Sequence, residues 1–503
     1  MGSFTAFVPS ICTLALIVIV LMLSADYLSS FVSHSSFDMR QFRRVGSLSD
    51  LQNRAALLTE SSDGVIVNRF TNSTAASDGV TVNHFTNSTA SSDSVTVNHF
   101  TNSTTVKKKS SPSEIDKRKE LNQGLARSRA SIRKAALTQK FPSIIKNEDI
   151  VPQRAIYRNP GAFYQSYAEM ERKFKVYVYK EGEPPMAHDG PCKEMYSIEG
   201  RFINELEHGT TRFRTSDPER AHIYFLPFSV TSMVEYLYRP LTYDLVPLKQ
   251  YVADYVKVVS TRHPFWNRTS GADHFMLACH DWGPLVSEAN PQLYSRSIRG
   301  LCNANSSEGF NPQKDVSIPE IHLFGGYLPT KLQNPPPLTE PRPHLAFFAG
   351  GVHGPIRPIL LDNWKGRDND MKVYEYLPEG VDYYSFMLQS KYCLCPSGYE
   401  VASPRVVESI YAECIPVILS KKFVLPLSDV LRWESFSVQV KVSDIPRLKE
   451  VLTSISEEKY MKLKENLRAV RKHFMLNKPA QRFDAFHMIL HSIWLRRLNM
   501  RLS

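Results

Sequence analysis

Cysteine is scarce: the chain has seven in 503 residues, one of them Cys12 and the other six spread between Cys192 and Cys414. No C-x-x-C pair occurs, and Cys393-x-Cys395 is too tight for a finger, so structural zinc modules are excluded. A dinucleotide fingerprint and a Walker phosphate loop are also missing. Basic excess is absent from most of the chain, although the formal charge is +11. Eleven Lys and Arg against three acids fall between Lys107 and Lys140, which leaves an excess of only three elsewhere. A folded domain with a basic nucleic-acid-binding face is therefore excluded. The six later cysteines allow fifteen pairings in an oxidising compartment, and their spacing does not choose among them. Cys393 and Cys395 alternate with Tyr392 and Leu394 in a strand-like run, where burial as small hydrophobes is an equal reading.

What is present is bulk and order. A chain of 57.3 kDa is too long for one small module, and 42% hydrophobic with 11% aromatic residues excludes global disorder. Phe4 to Ala25 carries no charged side chain. As a helix it would span roughly 33 Å, enough for a bilayer core, and no small-x-small cleavage site follows it. We read 1–25 as a short tail and transmembrane anchor, with a signal peptide as the rival. The first ten residues hold no Lys or Arg while Arg40, Arg43 and Arg44 follow, so the charge rule leaves the orientation weakly reversed. Asn-x-Ser/Thr acceptors at Asn72, Asn87, Asn102, Asn267 and Asn305 favour a lumenal or extracellular remainder. The first three sit in a fifteen-residue repeat beginning at Ser62, Ser77 and Ser92, too poor in apolar residues to bury a core. Residues 26–150 thus read as a disordered lumenal stem of repeats and a basic segment. That segment is partly helical, with Leu121, Leu125, Ile132 and Ala136 loosely spaced.

From Ala155 strand-like and helical runs alternate, which predicts parallel sheets between helices. The Pro-rich run Asn334 to Pro343 divides them. Hence 151–333 forms one Rossmann-like lobe, 334–343 a stiff linker, and 344–503 a second lobe with C-terminal helices. Strands are expected near 174–179, 222–228, 344–349, 371–376, 391–395 and 415–420, with helices near 201–207, 248–259, 358–363, 383–389 and 404–413. Loops at the carboxyl ends of such sheets bind ligands.

The richest stretch runs from Tyr392 to Leu419 as strand, polar loop, helix, strand. Ser403 at the N-cap and Pro404 in the first turn would aim free N–H groups at the Ser397–Gly398 loop, a phosphate-binding geometry. Arg405 adds charge for a diphosphate and Glu408, on the same side, an acceptor for ribose hydroxyls. The same spacing also makes an ordinary Arg405–Glu408 surface ion pair. A weaker cradle is Phe347-Phe-Ala-Gly-Gly-Val-His-Gly-Pro-Ile-Arg357, with Arg357 assisting.

Taken together, these blocks resemble the exostosin-type glycosyltransferases, glycosyltransferase family 47, and most closely the plant Golgi branch. The resemblance runs through Lys175-Val-Tyr-Val-Tyr, Ser197-Ile-Glu-Gly-Arg-Phe, Ser216-Asp-Pro-Glu-Arg-Ala, Gly271-Ala-Asp-His-Phe, His280-Asp-Trp-Gly, Cys395-Pro-Ser-Gly-Tyr, Ser403-Pro-Arg-Val-Val-Glu and Leu425 to Trp433. It implies the GT-B arrangement of two facing lobes, a nucleotide-sugar as co-substrate without a required metal, and sugar transfer with inversion. A single-pass type II protein of the Golgi membrane with a lumenal catalytic region follows, with a cell-wall matrix polysaccharide or glycoprotein glycan as acceptor. Partners are thus the donor, the acceptor and the membrane, with no nucleic acid, and hetero-oligomers with other glycosyltransferases stay open.

Donor contacts fall to Ser397, Gly398, Arg405, Glu408 and Arg357. An inverting transfer needs a base. His188-Asp189, Asp273-His274 and His280-Asp281 are the pairs on offer in the first lobe. Asp273 and His274 are the first choice, because their block matches the family, and Asp189 the second. Glu413 departs from the glycine usual in the family at that position, which would alter donor preference if it faced the donor. A non-catalytic scaffold for another glycosyltransferase, a glycan-binding protein and a glycoside hydrolase are the competing readings, separated from transfer by nucleotide binding and by donor-free hydrolysis.

Overall fold

The computed structural model describes residues 114–143 and 154–500. The anchor, the repeats and the acceptors Asn72, Asn87 and Asn102 lie outside them. Among the described residues no helix is long and apolar enough to cross a membrane.

Two wholly parallel sheets organise the rest. The first comprises β1 (Val176–Val178), β2 (Arg214–Thr215), β3 (Ile223–Phe225), β4 (His274–Ala278), β5 (Ile298–Leu301) and β6 (Val316–Ser317), in the order β2-β1-β3-β4-β5-β6. The second comprises β7 (His344–Ala349), β8 (Met371–Tyr374), β9 (Ser390–Pro396), β10 (Ile415–Leu419) and β11 (Val438–Gln439), in the order β11-β10-β9-β7-β8. Counted within itself, each sheet has the same doubly wound order, 2-1-3-4-5, with a sixth strand added to the first.

Burial explains why the strands read as continuous apolar runs. In β4 every residue is buried, and alternate side chains enter different cores. Phe275 and Leu277 pack with Phe202, Ile203 and Leu206 of the Ile198–His208 helix. Met276 and Ala278 pack with Val252, Val256 and Val259 of the Val246–Arg262 helix. A sheet covered on both faces needs this pattern, whereas a one-sided sheet would alternate apolar and polar residues.

Three expectations change. The basic segment is not wholly disordered: Glu114–Thr138 is one helix docked on the folded body. Leu125 and Ala135 are buried, Ser128 Oγ donates to Glu169 Oε2 at 2.7 Å, and Arg129 Nη1 donates to the Leu498 carbonyl at 2.9 Å. Second, the C-terminal helix Ala485–Asn499 does not belong with the second lobe. It returns to the first, where Phe486 meets Phe202 (5.1 Å between centroids), Trp494 meets Phe174 (5.1 Å), and Arg497 Nε donates to the His222 carbonyl (2.6 Å). Third, four cysteines pair, Cys279 with Cys302 and Cys393 with Cys414, so Cys393 is a bridge partner while Cys395 stays a buried thiol.

The linker is pinned rather than merely stiff. Lys464 Nζ donates to the Leu338 carbonyl (2.6 Å) and Arg468 Nη2 to that of Pro336 (2.8 Å). Cations from the Glu457–Val470 helix thus satisfy carbonyls of a segment that, being rich in proline, has few N–H groups for a sheet.

Candidate functional site

In each sheet the chain reverses its winding beside the first strand, between β1 and β3 and between β7 and β9. Loops leaving the carboxyl ends diverge there and open a crevice. In the second sheet those loops are the two expected cradles, 350–355 and 397–403, and they form one structure. Gly354 (φ 63°) passes so close that a Cβ on it would lie 1.9 Å from the Gly398 carbonyl oxygen. Only glycine combines that backbone with that approach. Arg357 Nη1 donates to the Gly351 carbonyl at 3.3 Å, and its Nη2 would be 3.0 Å from a Cβ on Gly398. One guanidinium therefore spans both turns.

The Pro404–Tyr411 helix starts where expected, but Ser403 makes no capping hydrogen bond through its side chain. Arg405 forms no ion pair with Glu408, so the surface-pair reading fails. Its Nη2 donates to the Ala349 carbonyl (2.8 Å), its Nε to the Tyr383 hydroxyl (3.2 Å), and its Cζ lies 4.7 Å over the Phe348 ring. Burial alone would make the guanidinium easier to deprotonate, but Tyr383, Cys395 and Glu408 push its pKa up, and the cation is permanent. Its Nη1 is buried without a partner, as is the Ser397 hydroxyl. Buried donors of this kind are costly unless a ligand meets them. Glu408 is 7% exposed and receives hydrogen bonds from the Tyr383 and Tyr384 hydroxyls at 3.4 and 3.3 Å. His322, on the segment after β6, approaches the same carboxylate to 4.0 Å.

The carboxyl ends of the two sheets face each other. Val424, after β10, donates its N–H to the Ala304 carbonyl (2.9 Å), and Asn303, after β5, reaches across to Glu400 with Nδ2 to Oε2 at 2.6 Å. The Cys279–Cys302 bridge joins the residues immediately after β4 and β5, and so fixes the loops that carry Asp281 and Asn303. Beneath them lies Glu199, fully buried, accepting from the backbone N–H of Cys279, His280 (2.8 Å) and Thr231 (3.1 Å) and from the Ser229 hydroxyl. Burial pushes its pKa up against those four donors. Glu400 is also shifted up, to about 8, first by burial and then by the charges of Asp281 and Glu308.

The base candidates separate by strand end. Asp273 and His274 stand at the amino end of β4, about one strand length, ~16 Å, from the facing loops. Both are buried, with His274 Nδ1 2.9 Å from Asp273, His274 Nε2 2.8 Å from the Tyr179 hydroxyl, and Thr269 donating to Asp273 at 2.6 Å. Burial tends to raise the Asp273 pKa, but these hydrogen bonds hold it below the ordinary range. This corrects the first choice: the pair lies buried in the core, at the end of the sheet away from the facing loops. His280 is at the right end, yet its Nδ1 accepts from the Trp282 N–H (3.1 Å) and burial holds its pKa at about 3. The neutral ring therefore carries its proton on Nε2 and cannot accept another there. Asp189 is exposed on the loop after β1 and takes a hydrogen bond from the Tyr236 hydroxyl at 3.2 Å. Asp281, partly exposed after β4, faces Glu400.

Of the described glycan acceptors, Asn267 is exposed within the Pro264–Thr269 helix, its Nδ2 donating to the Ser260 carbonyl at 2.8 Å. Asn305 is only 7% exposed, and its Oδ1 accepts from the Ser307 backbone and hydroxyl (3.0 and 2.7 Å). Glu413 faces away from the cradle. Ending the helix at φ 50°, it is bound bidentately by Arg468 through Nε and Nη2. Among the described residues no cluster of three His, Cys, Asp or Glu is disposed to hold a metal. Sequence reasoning missed Glu199, Asn303, His322 and Glu400. Glu199 lay in view inside Ser197-Ile-Glu-Gly, whereas the others acquire meaning only from partners in the opposite lobe.

Glycine-lined turns on one parallel sheet thus face carboxylate-bearing loops of a second. The exostosin GT47 domain model matches residues 170–455, and the chain belongs to that family. It is 63% identical over 395 residues to a probable glycosyltransferase of Arabidopsis thaliana, covering 78% of this chain and 82% of that one. A probable beta-1,4-xylosyltransferase of the same plant is 29% identical, covering 64% and 82%. Among solved structures, Anabaena HepE in complex with UDP-glucose aligns at 12% identity and a TM-score of 0.31, covering 62% and 96%.

Proposed function

We propose that the chain transfers a sugar from a nucleoside-diphosphate sugar, with inversion, to a hydroxyl of a polysaccharide. The observation that carries this reading is the pair of buried, unpartnered donors, Arg405 Nη1 and Ser397 Oγ, beside the Gly350–Gly354 and Ser397–Gly398 turns. Donors preset in a site of low dielectric stabilise the departing diphosphate. Arg357 ties the two turns together and Glu408 receives the ribose hydroxyls. The acceptor oxygen attacks the anomeric carbon as the bond from that carbon to the diphosphate oxygen breaks, and its proton passes to a carboxylate of the first lobe. Asp281 takes that role. Burial and the nearby charge of Asp281 push the Glu400 pKa up, so Glu400 keeps its proton and is unsuited to the role of base. Asp189, on the loop after β1, is the alternative.

The plant relative named a probable beta-1,4-xylosyltransferase supports a wall polysaccharide as acceptor. Two disulfides favour an oxidising compartment. With the apolar run at 4–25 they support a single-pass type II protein of the Golgi membrane, with Asn267 the more exposed of the two described glycan acceptors. Calorimetric titration of the lumenal chain with UDP tests the donor reading, followed by a panel of nucleotide-sugars with wall oligosaccharides. Absence of nucleotide binding would defeat it and return the scaffold or glycan-binding readings.

A further inference from the structure

After β6 the chain runs buried through Ile318, Ile321 and Leu323 and then breaks onto the surface as Phe324-Gly-Gly-Tyr327. Phe324 is 46% exposed and Tyr327 77%. They close a two-residue hairpin, the Phe324 N–H donating to the Tyr327 carbonyl (2.8 Å) and the Tyr327 N–H to the Phe324 carbonyl (3.1 Å). Gly325 and Gly326 have φ of 56° and 88°, the doubly positive turn that suits such a hairpin. Its tip is bolted down: the Gly326 N–H donates to the Lys193 carbonyl (2.8 Å), the Gly325 N–H to Glu194 Oε1 (2.9 Å), and Arg201 to the Gly326 carbonyl. Two large aromatic rings are thus held in water on a rigid support, a placement that marks an interaction surface.

From Phe324 the contacts lead to the donor site. Its ring lies 4.2 Å from that of His322 and 6.2 Å, edge to face, from that of Tyr384. His322 and Tyr384 both approach Glu408 Oε1, at 4.0 and 3.3 Å. The aromatic surface is therefore continuous with the carboxylate assigned to the donor ribose.

We propose that Phe324 and Tyr327 bind the acceptor glycan. Pyranose rings expose C–H groups on their faces and hydroxyls around their rims. The faces settle on the electron-rich faces of aromatic rings while the rims keep their water or meet polar neighbours such as Lys193 and Glu194. A chain seated on the hairpin leads its growing end toward the interlobe loops, and chain length beyond the terminal sugar contributes to affinity. This inference rests on the transferase reading above and deepens it.

The test applies the intact lumenal chain to an array of plant wall oligosaccharides of graded length, with UDP titration in parallel. The double variant Phe324→Ala/Tyr327→Ala should lose roughly tenfold in retention of the longer oligosaccharides while binding UDP as the wild type does. Phe324→Trp/Tyr327→Trp should retain them. Equal retention by the alanine variant overturns the inference, as does a wild type that retains no oligosaccharide. A wild type that holds oligosaccharide through the hairpin but not UDP defeats the donor assignment alone.

Discussion

Substituting Arg405 by Lys keeps the positive charge and removes the geometry. The guanidinium works in three directions at once: Nη2 to the Ala349 carbonyl at 2.8 Å, Nε to the Tyr383 hydroxyl at 3.2 Å, and a buried Nη1 left over. A lysine ammonium is a point charge on a flexible stem and cannot hold both structural acceptors while presenting a further donor along Nη1. A hydrogen bond to a charged group contributes about 1.5–3 kcal/mol, so losing one to the diphosphate should weaken UDP binding roughly ten- to hundredfold. Uridine, which lacks the phosphates, should bind wild type and variant alike, and isothermal titration with both ligands isolates the phosphate contribution from any local rearrangement. Circular dichroism establishes that the variant is folded. If Arg405→Lys bound UDP within about twofold of wild type, the guanidinium would not be on the phosphates, and the reasoning from its unpartnered nitrogen would be wrong.

Asp281→Asn should lower kcat by about 10²–10⁴ with UDP affinity unchanged, the usual loss for a removed general base. Asp273→Asn should instead lower stability while leaving the turnover of folded enzyme intact. Glu400 predicts a pH effect: its folded pKa of about 8 lies above the ordinary 4.5, so the folded chain keeps a proton that the unfolded chain releases. Its contribution to stability is full below about pH 4.5, falls as pH rises and is lost by about pH 8, and urea midpoints across that window should lose this slope in Glu400→Gln. At Glu413 a left-handed φ of 50° costs a side chain about 1 kcal/mol or more relative to glycine. Glu413→Gly and Glu413→Ala both lose the Arg468 pair, so the alanine variant should be the less stable by about that amount in urea unfolding, with donor preference unchanged in both.

The second lobe was the more legible half. His344–Ala349 and Tyr383–Gln389 coincide with their sequence expectations, because an apolar run between turn residues, or an aspartate before an aromatic helix, sets its own ends. Asp382 does cap that helix, accepting from the Ser385 N–H. The two-residue strands β2, β6 and β11 leave too short a pattern to read. Asp273 and His274 failed for a different reason. Each parallel strand has one end that faces ligand and one that does not, and β4 carries a histidine and an aspartate at both. Gly271-Ala-Asp-His precedes the strand and His280-Asp281 follows it. Composition beside the strand was visible, while the direction of the sheet relative to the opposing lobe was not. The docked basic helix was hidden similarly, since its partners Glu169 and Leu498 lie far along the chain and only the folded body brings them together.

The two facing sheets divide the labour that the chemistry demands. On the proposed donor side the backbone itself is the instrument, and its turns are locked by Gly354 against Gly398 and by the two arginines. Rigid placement is what preorganised donors require, because a site that must reorganise as charge develops loses the advantage. The proposed acceptor side is secured differently. The Cys279–Cys302 bridge and the buried Glu199 hold the loops after β4 and β5 from below, leaving Asp281 partly open to the opposite lobe. Side-chain contacts across the gap at Asn303–Glu400 and His322–Glu408 involve carboxylates of the second lobe. Protonating Glu400 or occupying Glu408 with a ribose therefore alters interlobe contacts as well as local ones. If Glu408 receives the donor ribose as proposed, donor binding and the seating of the first lobe are coupled through the same two carboxylates, so changes at Asn303 or His322 should reach nucleotide affinity although both residues belong to the first lobe.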